Sequence, residues 1–400
     1  MRNDAKEKKY PGDGKHILAG SVTALAIITS APALADQTPG DIAELKQLID
    51  KNATEYEARI EELEDLVGEL ESRVGNRAVI RAFDGLEVNL GGFYHSAFTY
   101  IDAEDESVSS FNRQNFELLI SARFNESWSS FFAGGFLREA DDAFAAGSRT
   151  APVFNSKNKN PAIISWVNYR HSDAFQVRLG RFITPHGIIN IEHFPATLLD
   201  PEQPQFLRPF SGDTLFPNFS TGVQVHGRRY AGDNIFTYNA YISNYAGAPE
   251  HENFGAMVEY TFSSLGLAVG LNYANGARAD ETDYDLGGLH FRVNKGRLLW
   301  KNEVYTTNED QAENRKGGYT QPAWRLTPKW TAFYRYDVLD NGTAETTENV
   351  VGLNYMPYSN VRLRVTYTYK EFDESTDPVD SSTLPETQAN ILQLSGTFSF

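Results

Sequence analysis

Arginines set at alternating positions are the residues of this chain best suited to a chemical task. Arg362 and Arg364 flank a single leucine, Arg170, Arg178 and Arg335 sit in similar alternating segments, and Arg208 lies in an irregular stretch between them. A guanidinium offers a planar fork of donors that grips carboxylate or phosphate bidentately. A basic wall inside low-dielectric protein focuses positive potential and concentrates anions, and rings of Arg and Lys give pores anion selectivity. These six arginines are the expected solute contacts. Four acids, Glu192, Asp200, Glu202 and Asp213, fall in the irregular stretch with Arg208 and would oppose the arginines across a pore eyelet. Two other outcomes stay open. Basic and acidic side chains of the wall could simply pair and brace it, or the acids could face the opening and weaken an anion preference.

The other chemistries lack their parts. There is no Cys, so there is no thiolate metal site. No HExxH, GxSxG or Walker-type loop occurs. His186 and His193, with Glu192 between them, are too few to meet the ligand count of a metal centre. The expectation is a protein that is not an enzyme, with no cofactor, no metal and no nucleic-acid partner.

What must position the arginines is a set of strands. Val361, Leu363, Val365, Tyr367 and Tyr369 share one face of a period-two segment, and Arg362, Arg364, Thr366, Thr368 and Lys370 share the other. Residues 235–243 and 265–274 repeat the pattern. Sixteen such segments start near 86, 111, 129, 161, 174, 219, 233, 252, 265, 283, 296, 316, 329, 347, 360 and 388. Seven short turns alternate with eight longer loops, and both chain ends fall on the short-turn side. That is the arithmetic of an all-β transmembrane barrel with 16 antiparallel strands. Aromatics such as Trp128, Trp300, Trp330 and Tyr358 cluster at strand ends, as interface girdles do. The last segment ends on Phe400 and must pair with the first to abolish both edges.

The polar face of these strands would line the lumen. It carries Arg123, Arg170, Arg178, Arg228, Arg292, Lys301, Arg335, Arg362, Arg364 and Lys370 against Glu117, Glu259, Glu303 and Asp337. The whole chain is acidic, at −17, so the surplus acid sits in the loops. There it would be solvated or bridge through divalent cations to lipopolysaccharide phosphates.

Residues 183–218 break the alternation. Six prolines, from Pro185 to Pro217, exclude a central strand. Yet Ile188, Ile189, Ile191, Phe194, Leu198, Leu199 and Phe206 make the stretch too apolar for a solvated linker. It is the third long loop, and a structureless loop this long has a task. It is expected to fold into the tube and set its width.

The N-terminus reads differently. Lys6, Lys8, Lys9 and Lys15 precede an apolar run and the small-x-small site Ala33-Leu34-Ala35. Residues 1–35 are therefore read as a signal peptide. Residues 36–77 form a coiled-coil segment expected in the periplasm. Its seam runs through Ile42, Leu45, Ile49, Asn52 and Tyr56, then after a stutter through Ile60, Leu63, Val67, Leu70 and Val74. So narrow a seam asks for partner chains. Residues 78–400 form the barrel domain.

The segment Leu179-Gly180-Arg181-Phe182-Ile183-Thr184-Pro185-His186-Gly187, the long loop after it and the return Thr221-Gly222-Val223-Gln224-Val225-His226-Gly227 carry a family resemblance. Asn349-Val350-Val351-Gly352-Leu353-Asn354-Tyr355, the turn Tyr358-Ser359-Asn360 and Val361-Arg362-Leu363 add to it. The chain resembles the phosphate-selective porin O and P group, including DcaP-type members with an N-terminal coiled coil. The resemblance implies a homotrimer joined through coiled coil and barrel walls, one channel per chain, and a third loop folded inward. The expected function is an outer-membrane porin for passive uptake of small hydrophilic solutes, favouring anions such as organic acids, dicarboxylates or phosphate. The alternative is a structural anchor whose coiled coil contacts the cell wall.

Overall fold

The computed structural model describes residues 79–80, 86–103, 107–139, 162–208, 214–245, 248–278, 282–310, 312–372 and 388–400. The signal segment 1–35, the whole coiled-coil segment 36–77 and Asp213 lie outside them.

A two-residue strand β1 (Val79–Ile80) pairs with the start of β2. The wall then runs through β2 (Glu87–Ala103), β3 (Ser107–Arg123), β4 (Trp128–Glu139), β5 (Ala162–Ser172), β6 (Phe175–Ile183), β7 (Phe219–Ala231), β8 (Asn234–Tyr245) and β9 (Ala248–Phe262). It continues through β10 (Leu267–Ala277), β11 (Asp283–Lys295), β12 (Leu298–Glu309), β13 (Lys316–Arg325), β14 (Trp330–Asp340), β15 (Glu345–Tyr358), β16 (Val361–Phe372) and β17 (Gln388–Ser399). Each strand from β2 onward pairs antiparallel with the next, and β17 pairs with β2 from Ala389–Ala103 to Ser399–Phe93. The result is a closed barrel of sixteen strands. Closure satisfies the backbone groups that an open edge would leave bare in lipid. The seam is finished by Phe400, whose N–H donates to Gly92 O at 3.0 Å while Gly92 N–H donates to Phe400 O at 3.1 Å.

Alternation sorts the two faces. On β16, Leu363, Val365 and Tyr367 point outward and are 40–47% exposed, whereas Arg364, Thr366 and Thr368 point inward and are at most 2% exposed. On β12, Val304 faces out while Glu303 and Tyr305 face in. An apolar exterior around a polar interior is the membrane-barrel pattern. Trp128 lies tilted against Tyr169 and Trp330 stacks on Tyr355, both pairs beside short turns. Among the described residues no helix is long and apolar enough to cross a membrane.

The expected strand starts hold within four residues. The two largest shifts are at β3 and β9, which begin at Ser107 and Ala248 rather than near 111 and 252. Both strands extend past the point where alternation becomes strong, so the connections before them shorten to 104–106 and 246–247. The turn between β11 and β12 lies at 296–297, where Gly296 adopts the positive φ of 60° that a tight turn needs.

Candidate functional site

The interior is organised by the third long loop, between β6 and β7. Its described part folds into the lumen, as its sequence suggested. It contains the short helix α1 (Ile189–Glu192) and a 3-10 turn, Gln205–Leu207. Ile189, Leu198, Phe206, Leu207, Leu215 and Phe216 pack into one cluster with Ala274, Tyr284, Leu286, Tyr305, Tyr319 and Leu339 of the inner wall. That explains why a proline-studded loop is so rich in Ile, Leu and Phe: removing this apolar surface from water holds the loop to β10–β14.

Polar cleats complete the docking. Glu303 is fully buried and accepts three hydrogen bonds: from Ile189 N–H at 2.8 Å, Tyr305 OH at 2.9 Å and Tyr319 OH at 2.7 Å. A buried carboxylate is tolerated only when so fully bonded. Gly187, just ahead of α1, has a φ of 65°, and its N–H donates to Asn272 at 3.0 Å. A Cβ added at Gly187 would overlap the Glu303 carboxylate. We expect Gly187→Ala to weaken docking by at least about 1–2 kcal/mol from the left-handed backbone alone, with the carboxylate clash added. Open-channel current noise should rise above that of the native protein.

A second cleat is ionic. Arg335 lies at zero exposure and contacts Asp200 at 2.9 Å, Asp337 at 2.8 Å and Glu348 at 3.7 Å. It also donates to Glu202 O at 2.8 Å. Arg208 reaches from the loop to Glu348 at 2.5 Å. Gln205 donates to Asp337 at 3.1 Å. Further round the wall, Arg364 donates to Leu198 O at 2.9 Å, to Thr397 at 2.8 Å and to Pro195 O, and Arg362 donates to Leu198 O at 3.1 Å.

The sequence-derived solute contacts therefore separate. Arg335, Arg364 and Arg208 are buried and hold the loop, a role that alternation cannot distinguish from lining an opening. Their guanidiniums are occupied by loop or wall oxygens. Arg170 sits exposed beside a short turn and pairs with Asp173 at 2.6 Å. Arg178 and Arg362 remain at open space. Of the loop acids, Asp200 is consumed by Arg335, and buried Glu202 accepts from Gln393 at 3.3 Å. Among the described loop acids only Glu192 faces open volume, where it pairs with Lys301.

Two chambers of that open volume are lined by described residues. One of about 700 Å³ lies between α1 and the wall from β4 to β11. The other, about 760 Å³, reaches the short-turn rim at Ser263, Gly266, Asn294 and Pro328. Glu192, Thr261 and Arg292 line both. The charged lining residues described are Arg178, Arg228, Arg292, Lys301, Arg325 and Arg362 against Glu192 and Glu259. Arg292 contacts Glu259 at 2.8 Å yet leaves 44% of its side chain exposed. Arg178 stacks 4.2 Å from the Trp166 ring and donates to Gln224 at 3.0 Å. Arg228, Arg292, Lys301 and Arg325 were not among the expected contacts. Alternation put the first three on the lumen face, but nothing in the sequence says which azimuth the loop leaves uncovered.

Burial of His186 in the loop, where Nε2 lies 2.9 Å from Tyr241 OH, lowers its pKa from 6.5 to about 3. A released loop would bind a proton that the docked loop refuses. The share of docking that depends on neutral His186 is thus fully present above about pH 6.5 and falls as pH drops toward 3. The expected result is quiet current at neutral pH and growing fluctuation on acidification, read from single-channel traces.

Residues 271–398, spanning β10 to β17, match the phosphate-selective porin O and P family. Over those residues, about a third of the chain, the match agrees with the family resemblance read from the sequence. A search of curated proteins finds no match. Solved structures share the fold. An anion-selective porin from Comamonas acidovorans aligns at 14% identity with a TM-score of 0.58, over 79% of this chain and 100% of that one. OmpF of Salmonella typhi in complex with daunomycin aligns at 12% and 0.55, over 79% and 98%. The outer-membrane channel DcaP of Acinetobacter baumannii aligns at 12% and 0.52, over 81% and 100%. These likenesses show that the chain shares its barrel fold with those proteins.

Proposed function

We propose that this barrel, which matches the phosphate-selective porin O and P family over residues 271–398, forms a water-filled outer-membrane channel for passive uptake of small hydrophilic anions. The observation that carries the reading is the charge balance of the open volume. Six basic side chains line it against two acids, while loop acids that could have offset them are tied to the wall. In a lumen walled by low-dielectric protein, such a surplus raises local anion concentration. Binding must stay weak, since a site that holds must also release. Arg178, Arg228, Arg292 and Arg362 are the proposed contacts, and Glu192 is the acid that tempers them.

The assembly is proposed to be a homotrimer with one channel per chain, seated in outer-membrane lipid and lipopolysaccharide, its coiled coil in the periplasm. One neighbour in structure, OmpT of Vibrio cholerae, is described in a trimer form. Reconstitution of the purified protein into planar bilayers tests both points. Stepwise conductance that closes under voltage in three equal decrements is expected. Absence of conductance would leave only an anchor, and a single decrement would refute the trimer.

A further inference from the structure

The chamber beside α1 has walls of opposite character. β6, β7 and β11 contribute Arg178, Arg228 and Arg292. β4, β5, the end of β6 and the loop contribute Phe131, Trp166, Ile183, Ile191 and Phe194. Ile191 is 44% exposed although it sits inside the barrel. The loop buries Ile189 and Leu198 on the wall but turns Ile191 to the opening. Exposed apolar patches of this kind mark binding surfaces.

An inorganic phosphate ion is badly matched to such a chamber. It needs donors on all sides, and against the apolar wall its oxygens would lose water without finding a replacement. An anion with an apolar body fits both walls at once: its carboxylate meets the guanidiniums while its hydrocarbon part lies along Ile191 and Phe131. The volume, about 700 Å³, is in the range of small-molecule sites. Resting on the anion reading above, we infer that this chamber selects organic monocarboxylates with an apolar body over inorganic phosphate.

The test is block of chloride current through the full-length protein in planar bilayers by acetate, butyrate, hexanoate and phosphate. The half-blocking concentration should fall about threefold for each two added methylenes, a fraction of full transfer from water. Hexanoate should block more strongly than phosphate. Ile191→Asn should flatten the chain-length series, and Phe131→Ser, altering the wall instead of the loop, should do the same. A flat series in the native channel with an anion-selective reversal potential overturns this inference alone. A cation-selective reversal potential overturns the reading beneath it, and this inference with it.

Discussion

Replacing Arg335 by Met should release the constriction loop while leaving the barrel intact. Arg335 is the one cation within ion-pair distance of Asp200, Asp337 and Glu348 together among the described residues, and all four side chains are essentially buried. Its removal leaves three carboxylates facing one another, with Arg208 at 2.5 Å from Glu348. Breaking a buried ionic cluster in this way costs about 3–5 kcal/mol. The cost falls on the loop, because Asp200 belongs to it and Arg335 also holds Glu202 O. The sixteen strand pairings do not depend on Arg335's side chain. The expected result is a larger and noisier single-channel conductance, with folded barrel still seen by heat-modifiable gel mobility. Adding Asp200→Asn should recover part of the loss, since residues of one ionic network do not act additively. Conductance and noise equal to those of the native channel would refute the latch.

Reversing Arg228 and Arg292 together to Glu should carry the channel from anion toward cation preference. Each change shifts the lining by two unit charges. A unit charge roughly 7 Å from a passing ion in water contributes about 0.6 kcal/mol. Screening at 0.1 M salt, where the Debye length is about 10 Å, removes a good part of this. A change of roughly tenfold in the anion-to-cation permeability ratio is expected at that salt, shrinking as salt is raised. Arg335→Met provides a contrast, since it removes a charge from the loop's underside rather than from the open lining. A permeability ratio that ignores the double reversal would show that the solute path runs elsewhere.

Much of the fold was legible because a barrel strand has a simple code. Val361 to Lys370 alternates without a break, and its faces in the structure are those the alternation assigns. The turn-and-loop rhythm gave the number of strands, and Pro185 to Pro217 marked the loop that leaves the wall. The site was less legible for a physical reason. Period two reports which face a side chain takes, not its depth or azimuth. Arg362 and Arg364 are indistinguishable by pattern, yet Arg362 reaches open volume and Arg364 is sealed under Leu198 and Pro195. The difference comes from where the loop lies, which depends on contacts such as Ile189 with Glu303, 114 residues apart. The acids behaved likewise: Asp200 and Glu192 look equivalent in the sequence, but one is spent on Arg335 and the other faces the channel.

The claim on which the rest depends is that the open lining, and not the acidic chain as a whole, governs ion passage. The reversal potential of the purified native channel in a potassium chloride gradient tests it without any substitution. A potential displaced toward the chloride equilibrium value is expected from the six lining bases. A potential displaced toward the potassium value would contradict it, and would mean that Glu192 and the loop acids outweigh the arginine wall.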